Sequence, residues 1–256
     1  MMASFTFFLG LGMGSFLNVV IARLPKGENF VKGRSKCPAC GHILAWSDLF
    51  PLASFIFLKR KCRYCLKKIS GRYFLVELLT GLIFLAFFWI TQSSGQFSLG
   101  PFLFWLAVIL LLIALAFIDF DYFIIPDKIL IVLLLLGFLY QLFGQSILAN
   151  FMTAVITGMI FFMIFVATKG EKMGLGDVKL IALLGFIFGF PGILLIFYLA
   201  AAGALVWSVI LILWFGGKLH TKIPFGSLLS GSAIAFILFN KLLLSFFMPY
   251  ILKLYV

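Results

Sequence analysis

Apolar runs close to the length of a bilayer crossing recur along this chain, and nothing else restricts its fold so tightly. They cover about Phe5 to Ala22, then Tyr73–Ile90, Pro101–Ile118, Ile129–Phe143, Phe151–Thr168, Val178–Phe190, Gly192–Phe215 and Phe225–Asn240. In hydrocarbon, backbone N–H and C=O groups have no water to bond. Runs of about 20 such residues therefore fold as helices, which satisfy them internally. Of the 256 residues, 64% are hydrophobic and 11% charged, too few charges to cover the surface of a soluble domain. The expectation is an all-α polytopic membrane protein with about eight transmembrane helices. The first run lacks a small-residue cleavage site and continues into Arg23-Leu24-Pro25, so it reads as a retained helix rather than a signal peptide. Its Gly10, Gly12 and Gly14 suit close packing on a neighbouring helix.

The net charge is +12, which on a soluble chain would suggest nucleic acid. Location argues otherwise. More than half of the 20 Lys and Arg residues fall between Arg23 and Arg72. Lys128, then Lys169, Lys172 and Lys179, then Lys218 and Lys222 follow in connections on the same side. Thr91–Gly100 and Gly144–Asn150, on the other side, contain none, and only Lys241 and Lys253 break the pattern. By the positive-inside rule the basic side is cytoplasmic and the N-terminus is outside. The charge is thus a topology signal that also favours anionic lipid, with no nucleic acid implied.

The segment 23–72 contains all four cysteines, as Cys37-Pro38-Ala39-Cys40 and Cys62-Arg63-Tyr64-Cys65. Two C-x-x-C pairs converge naturally on one tetrahedral metal ion, and four thiolates suit structural Zn²⁺. Two disulfides, four free thiols or an iron–sulfur cluster are the alternatives, and a cytoplasmic position disfavours the first. The expected division is a first transmembrane helix at 1–22, a cytoplasmic tetracysteine domain at 23–72 and a membrane domain at 73–256.

The acids number eight. Asp177 closes Gly174-Leu175-Gly176-Asp177 at the edge of an apolar run, and Asp119 ends another. A carboxylate beside a membrane helix is costly enough to suggest function, although an acid here also serves as a helix N-cap. Counting spans brings Asp119 and Asp177 to the cytoplasmic end of the bundle. Two carboxyl groups that converge can share one proton, the ionised one activating water while the protonated one polarises a peptide carbonyl. Asp121 lies about 200° around the helix from Asp119, so only one of them can face inward. Asp127, after Pro126, reads as a helix-start residue, and Glu77 as a partner of Arg72 or Arg23 or the lining of a polar cavity. His42 and His220, the only histidines, suit a metal neighbourhood and a basic connection better than a catalytic base.

Several short motifs occur in order. They are Gly14-Ser15-Phe16-Leu17-Asn18-Val19-Val20 with Arg23-Leu24-Pro25, the two cysteine pairs, and Arg72-Tyr73-Phe74-Leu75-Val76-Glu77-Leu78-Leu79-Thr80-Gly81. Ile118-Asp119 through Ile125-Pro126-Asp127, Met173-Gly174-Leu175-Gly176-Asp177-Val178-Lys179 and Ile223-Pro224-Phe225-Gly226 complete the set. In this ordered set the chain closely resembles the type IV prepilin peptidases, over nearly its whole length. The resemblance implies that Asp119 and Asp177 are catalytic, with Gly174 and Gly176 supporting the catalytic loop. It implies an endopeptidase of the bacterial cytoplasmic membrane that removes a short basic leader from prepilins or pseudopilins. Cleavage follows Gly, commonly before Phe, at the cytoplasmic face. Many members with the cysteine segment also methylate the new N-terminus from S-adenosylmethionine, whose binding residues no motif identifies here. A transporter using interfacial carboxylates, or a membrane-anchored zinc assembly module, are the competing readings.

Overall fold

The structure is a computed structural model that describes residues 2–31, 33–37, 39–95, 97–142, 146–171, 173–215 and 223–253. Pro38, Phe143, Lys172, Lys218, His220 and Lys222 lie outside the described residues. Among the described residues the chain is helical, with α1 (Met2–Arg23), α2 (Ala53–Phe57), α3 (Gly71–Ser93) and α4 (Leu99–Tyr122). There follow α5 (Asp127–Leu142), α6 (Ile147–Ala167), α7 (Leu175–Phe215) and α8 (Phe225–Lys253). Hydroxyls on these apolar helices bond back to their own carbonyls. Examples are Thr80 Oγ1 to Val76 O at 2.7 Å, Thr157 Oγ1 to Thr153 O at 2.8 Å and Ser208 Oγ to Ala204 O at 2.7 Å. That local bond lets a hydroxyl reside in hydrocarbon.

Among the described residues each expected apolar run falls on a helix, and 6 helices are long and apolar enough to cross a membrane. The protein is a multi-pass membrane protein. The count of about eight differs for two physical reasons. With 41 residues α7 would extend about 60 Å if straight, twice a hydrocarbon thickness of about 30 Å. Its backbone leaves helical geometry at Gly189 (φ 61°, ψ −172°) and Phe190 (φ −90°, ψ 138°), ahead of Pro191. Val178–Phe190 and Gly192–Phe215 are the two arms of that broken helix. In contrast α5, with 16 residues, covers only about 24 Å.

The chain divides into two compact units, Met1–Leu106 and Ala107–Val256. In the first, α1 packs antiparallel to α3. A Cβ on Gly10 would come within 2.8 Å of Gly81 Cα, and one on Gly14 within 2.8 Å of Glu77 Cα. These two glycines let the backbones touch. Gly12 faces open space and plays no part in that seam. The hydroxyl of Ser70 caps α3 by accepting from Arg72 N at 3.3 Å.

In the second unit α5, α6 and α8 all pack on α7. Gln141 on α5, 3% exposed, donates through Nε2 to Phe186 O on α7 at 3.0 Å. Gly185 of α7 lies against Thr157 and Ala154 of α6. Despite that contact α6 has no fully buried residue, so most of its surface is left for lipid.

Candidate active site

Asp119 lies in the last turn of α4 and is 5% exposed, whereas Asp121 is exposed on the other side of that turn. The helical divergence expected of the two acids is realised. The Asp119 carboxylate is held by the start of α8. Ser227 N donates to Asp119 Oδ2 at 2.6 Å, and Ser227 Oγ lies 3.0 Å from that oxygen and 2.7 Å from Ala116 O. A carboxylate aimed at the amino end of a helix meets free N–H groups and the positive end of the helix dipole. A Cβ on Gly226 would come within 3.1 Å of Asp119 Cγ, so any side chain there would press on the acid.

Asp177 stands in the first turn of α7 as the third helical residue, with Gly174 at the cap. It is therefore not the N-cap residue. Its Oδ2 accepts from Gly174 N at 3.2 Å and its own N–H donates to Gly174 O at 3.1 Å, the reciprocal half of a capping box. Its Oδ1 is buried and accepts no hydrogen bond from the described residues. Asp119 and Asp177 are near enough for their charges to interact. One side chain bridges their supports. Ile125 meets Gly176, where a Cβ would lie 3.0 Å from Ile125 Cβ, and Gly226, where a Cβ would lie 2.7 Å from Ile125 Cδ1. Gly176 thus makes room for Ile125, and Gly174 supplies the N–H that orients Asp177.

Asp127, the first residue of α5, is the helix-start residue expected, and its Oδ1 also accepts from Lys179 Nζ at 2.7 Å. Glu77 belongs to the first unit, where its Oε2 accepts from Leu52 N at 2.9 Å. Arg23, one partner considered for it, donates instead to Asn29 O and Arg34 O, both at 3.1 Å. Sequence reasoning missed Ser227. The only signal was its position after Ile223-Pro224-Phe225-Gly226, at the start of an apolar run.

The four Sγ atoms of Cys37, Cys40, Cys62 and Cys65 lie within 4.8 Å of one another, and the cluster could hold a metal ion. The two knuckles share one backbone plan. Cys37 N bonds His42 O and Gly41 N bonds Cys37 O, both at 2.9 Å. Cys62 N bonds Lys67 O at 2.9 Å and Leu66 N bonds Cys62 O at 3.0 Å. Gly41 (φ 71°) and Leu66 (φ 59°) occupy matching left-handed positions, free for the glycine and strained for the leucine. Burial pushes the Cys37 thiol up, but N–H groups of Cys40 and Ala39 and the thiols of Cys40 and Cys62 outweigh it, bringing it down to about 7. At Cys65 the Lys67 N–H pulls down, while partial burial and the three other sulfurs push the thiol up to about 11. Asp48 ties the preceding turn to the second knuckle, pairing Oδ1 with Arg63 Nε at 2.9 Å while Oδ2 accepts from Ala45 N at 3.1 Å.

Comparison with known proteins adds a further set of findings. The model of the bacterial peptidase A24 N-terminal domain matches residues 8–91, and that of the type IV leader peptidase family matches residues 105–209. A protein of Myxococcus xanthus is 38% identical over 217 residues, covering 82% of this chain and 63% of its own length. One of Aeromonas salmonicida is 31% identical over 258 residues, covering 89% and 87%. One of Klebsiella pneumoniae is 36% identical over 202 residues, covering 74% and 86%. Each of these relatives is named a prepilin leader peptidase/N-methyltransferase. No solved structure matches the chain.

Proposed function

The chain belongs to the type IV leader peptidase family, and we propose that it cleaves the leader from prepilins or pseudopilins and then methylates the amine exposed. It is an enzyme of the aspartic peptidase class, with Asp119 and Asp177 as the catalytic pair and Gly174 and Gly176 as supports of the catalytic loop. The observation that carries this reading is the shared seat of the two acids. Each sits at a helix amino end, one that of α7 and one that of α8, and Ile125 spans the glycines between them.

In the proposed reaction one carboxyl group holds a proton and the other is ionised. The ionised group takes a proton from water as its oxygen attacks the peptide carbonyl carbon, and the protonated group gives its proton to the carbonyl oxygen. Collapse of the tetrahedral intermediate breaks the C–N bond, with a proton passing to the departing amine. Buried Asp177 Oδ1, with no donor among the described residues, is the oxygen suited to accept from water. Ser227 fixes the rotamer of Asp119. Neither the exposed Asp121 nor the paired Asp127 has a part in the step.

The metal of the cysteine cluster is assigned as structural Zn²⁺. A tetrahedron of thiolates about 2.3 Å from zinc has edges of about 3.8 Å, and Cys37 Sγ and Cys65 Sγ lie 3.9 Å apart. The zinc would fix the polar domain at 23–72, leaving cleavage to the membrane domain at 73–256. S-adenosylmethionine is the co-substrate that would supply the methyl group. The enzyme works at the cytoplasmic face of the bacterial inner membrane, in contact with anionic lipid and not with nucleic acid.

Purified Asp119→Asn and Asp177→Asn should each lose at least about a thousandfold in cleavage of a prepilin with Gly before the scissile bond, with helical content retained. The double variant should be hardly worse than either single one, because the acids act as a unit. Asp121→Asn should keep substantial activity. Normal cleavage by Asp119→Asn together with loss in Asp121→Asn would reassign the partner, and dispensability of both Asp119 and Asp177 would end the protease reading.

A further inference from the structure

The seam between α1 and α3 holds polar groups that peptide cleavage does not use. Beyond the contact of Gly14 with Glu77, Asn18 Nδ2 donates to Tyr73 O at 3.0 Å. Asn18 is 2% exposed, and its Oδ1 is buried without a hydrogen-bond partner among the described residues. The orientation of that amide is fixed by chemistry. The Tyr73 carbonyl only accepts, so the NH₂ end must face it and the oxygen is left over. Glu77 follows Tyr73 by one turn on the same face of α3. Its carboxylate accepts from Leu52 N at 2.9 Å. A carboxylate and an orphan amide oxygen thus stand one turn apart in one seam, within the unit Met1–Leu106.

A purely mechanical role for Glu77, holding the strained Leu52 (φ 57°), accounts for one oxygen only. A neutral glutamine would accept from the Leu52 N–H equally well, so that role explains neither the charge nor Asn18 Oδ1. What satisfies both is a ligand with positive charge and several N–H donors. A hard metal cation would require about six oxygen ligands. A sulfonium carries charge without a donor. A primary ammonium at the end of a chain meets each requirement, since its three N–H bonds can reach two or three acceptors.

We propose that Glu77 and Asn18 form a binding site for a primary ammonium, the new N-terminus of the cleaved apolar substrate. The site belongs to the unit Met1–Leu106, whereas the aspartate pair belongs to the unit Ala107–Val256, and it holds the amine that is to be methylated. The inference rests on the methylation half of the function proposed above, yet it is tested without either reaction. A synthetic peptide that begins with Phe and continues into an apolar segment is titrated onto the full chain in detergent micelles, with no methyl donor present. Its N-acetylated counterpart is titrated in parallel.

The wild type is expected to bind the free-amine peptide at least about tenfold tighter than the acetylated one, the scale of a charge-assisted hydrogen-bonded pair. Glu77→Gln, which keeps an acceptor for Leu52 N, should abolish the preference, and Asn18→Leu should reduce it severalfold. Retained metal content and helical circular dichroism serve as folding checks on both variants. Equal binding of the two peptides by the wild type overturns the proposal, and this arm needs no variant to fold. So does a full preference surviving in folded Glu77→Gln. A wild type that discriminates the amine yet never cleaves a prepilin supports this site and sinks the peptidase reading alone.

Discussion

Ser227 has one hydroxyl hydrogen and two oxygen neighbours, the Ala116 carbonyl at 2.7 Å and Asp119 Oδ2 at 3.0 Å. The carbonyl accepts only, so when the hydrogen points there, the contact with Asp119 is best made by a protonated carboxyl group. When Asp119 is ionised, the hydroxyl can turn and donate to it. Ser227 therefore accommodates both charge states of an acid that must cycle between them. Ser227→Ala should lower kcat by about ten- to hundredfold with little change in KM and should alter the pH profile, while Ser227→Thr restores much of the rate. Steady-state cleavage of a prepilin across a pH series checks this. The two aspartates were visible from their motifs. Ser227 was not, because its importance depends on an acid on a different helix far back in the chain, and a serine at a helix start already has an ordinary local explanation.

The cysteine knuckles behave as a paired element. Each closes a backbone turn on its first cysteine, and together they bring four sulfurs within 4.8 Å. Replacing Cys37 and Cys40 by Ser should lower bound zinc and thermal stability while leaving measurable cleavage, read by metal analysis and the prepilin assay. Metal retention in that double variant would refute the assignment. The wild type should release zinc more readily as pH falls, because protons then compete with the metal for the cysteine thiolates. The cluster was legible from the spacing of the cysteines. The helices were legible because hydrocarbon leaves a long apolar run no other backbone solution. The connection within α7 was less so. Phe190-Pro191-Gly192 was visible as a break, but whether it opened a loop or merely bent a continuous element depends on packing. The short α2 and the strained Leu52 left no trace, since neither follows from hydropathy or from a turn residue.

At the scale of the whole molecule, a mean hydropathy of +1.22 goes with a sharp segregation of charge. If the basic side is cytoplasmic, Ser94, after α3, faces outward, and Lys172, before α7, faces inward. In intact cells an impermeant thiol reagent should label Ser94→Cys and spare Lys172→Cys, the reverse pattern inverting the orientation. The unit Ala107–Val256 contains both aspartates and the unit Met1–Leu106 contains the cysteines and the Glu77 seam. Chemistry on peptide bonds and chemistry on amines would thus be served by separately packed parts of one chain.

Ile125 touches the glycine shoulders of both acid sites. It works as a gauge block, setting the gap between two acid jaws with a part that carries no ionisable group of its own. A salt bridge in that position would loosen with ionic strength and shift with pH. A hydrocarbon wedge does neither, and its setting depends on volume alone. The atom nearest Gly226 is the terminal Cδ1, which Ile125→Val deletes. That substitution should lower kcat by about two- to tenfold, through a small misalignment of the acids, without changing the salt dependence of the rate. A larger residue at Gly176 or Gly226 should act in the opposite direction, forcing the jaws apart. The rate would then record the calibre of the site, with every proton-bearing group still in place.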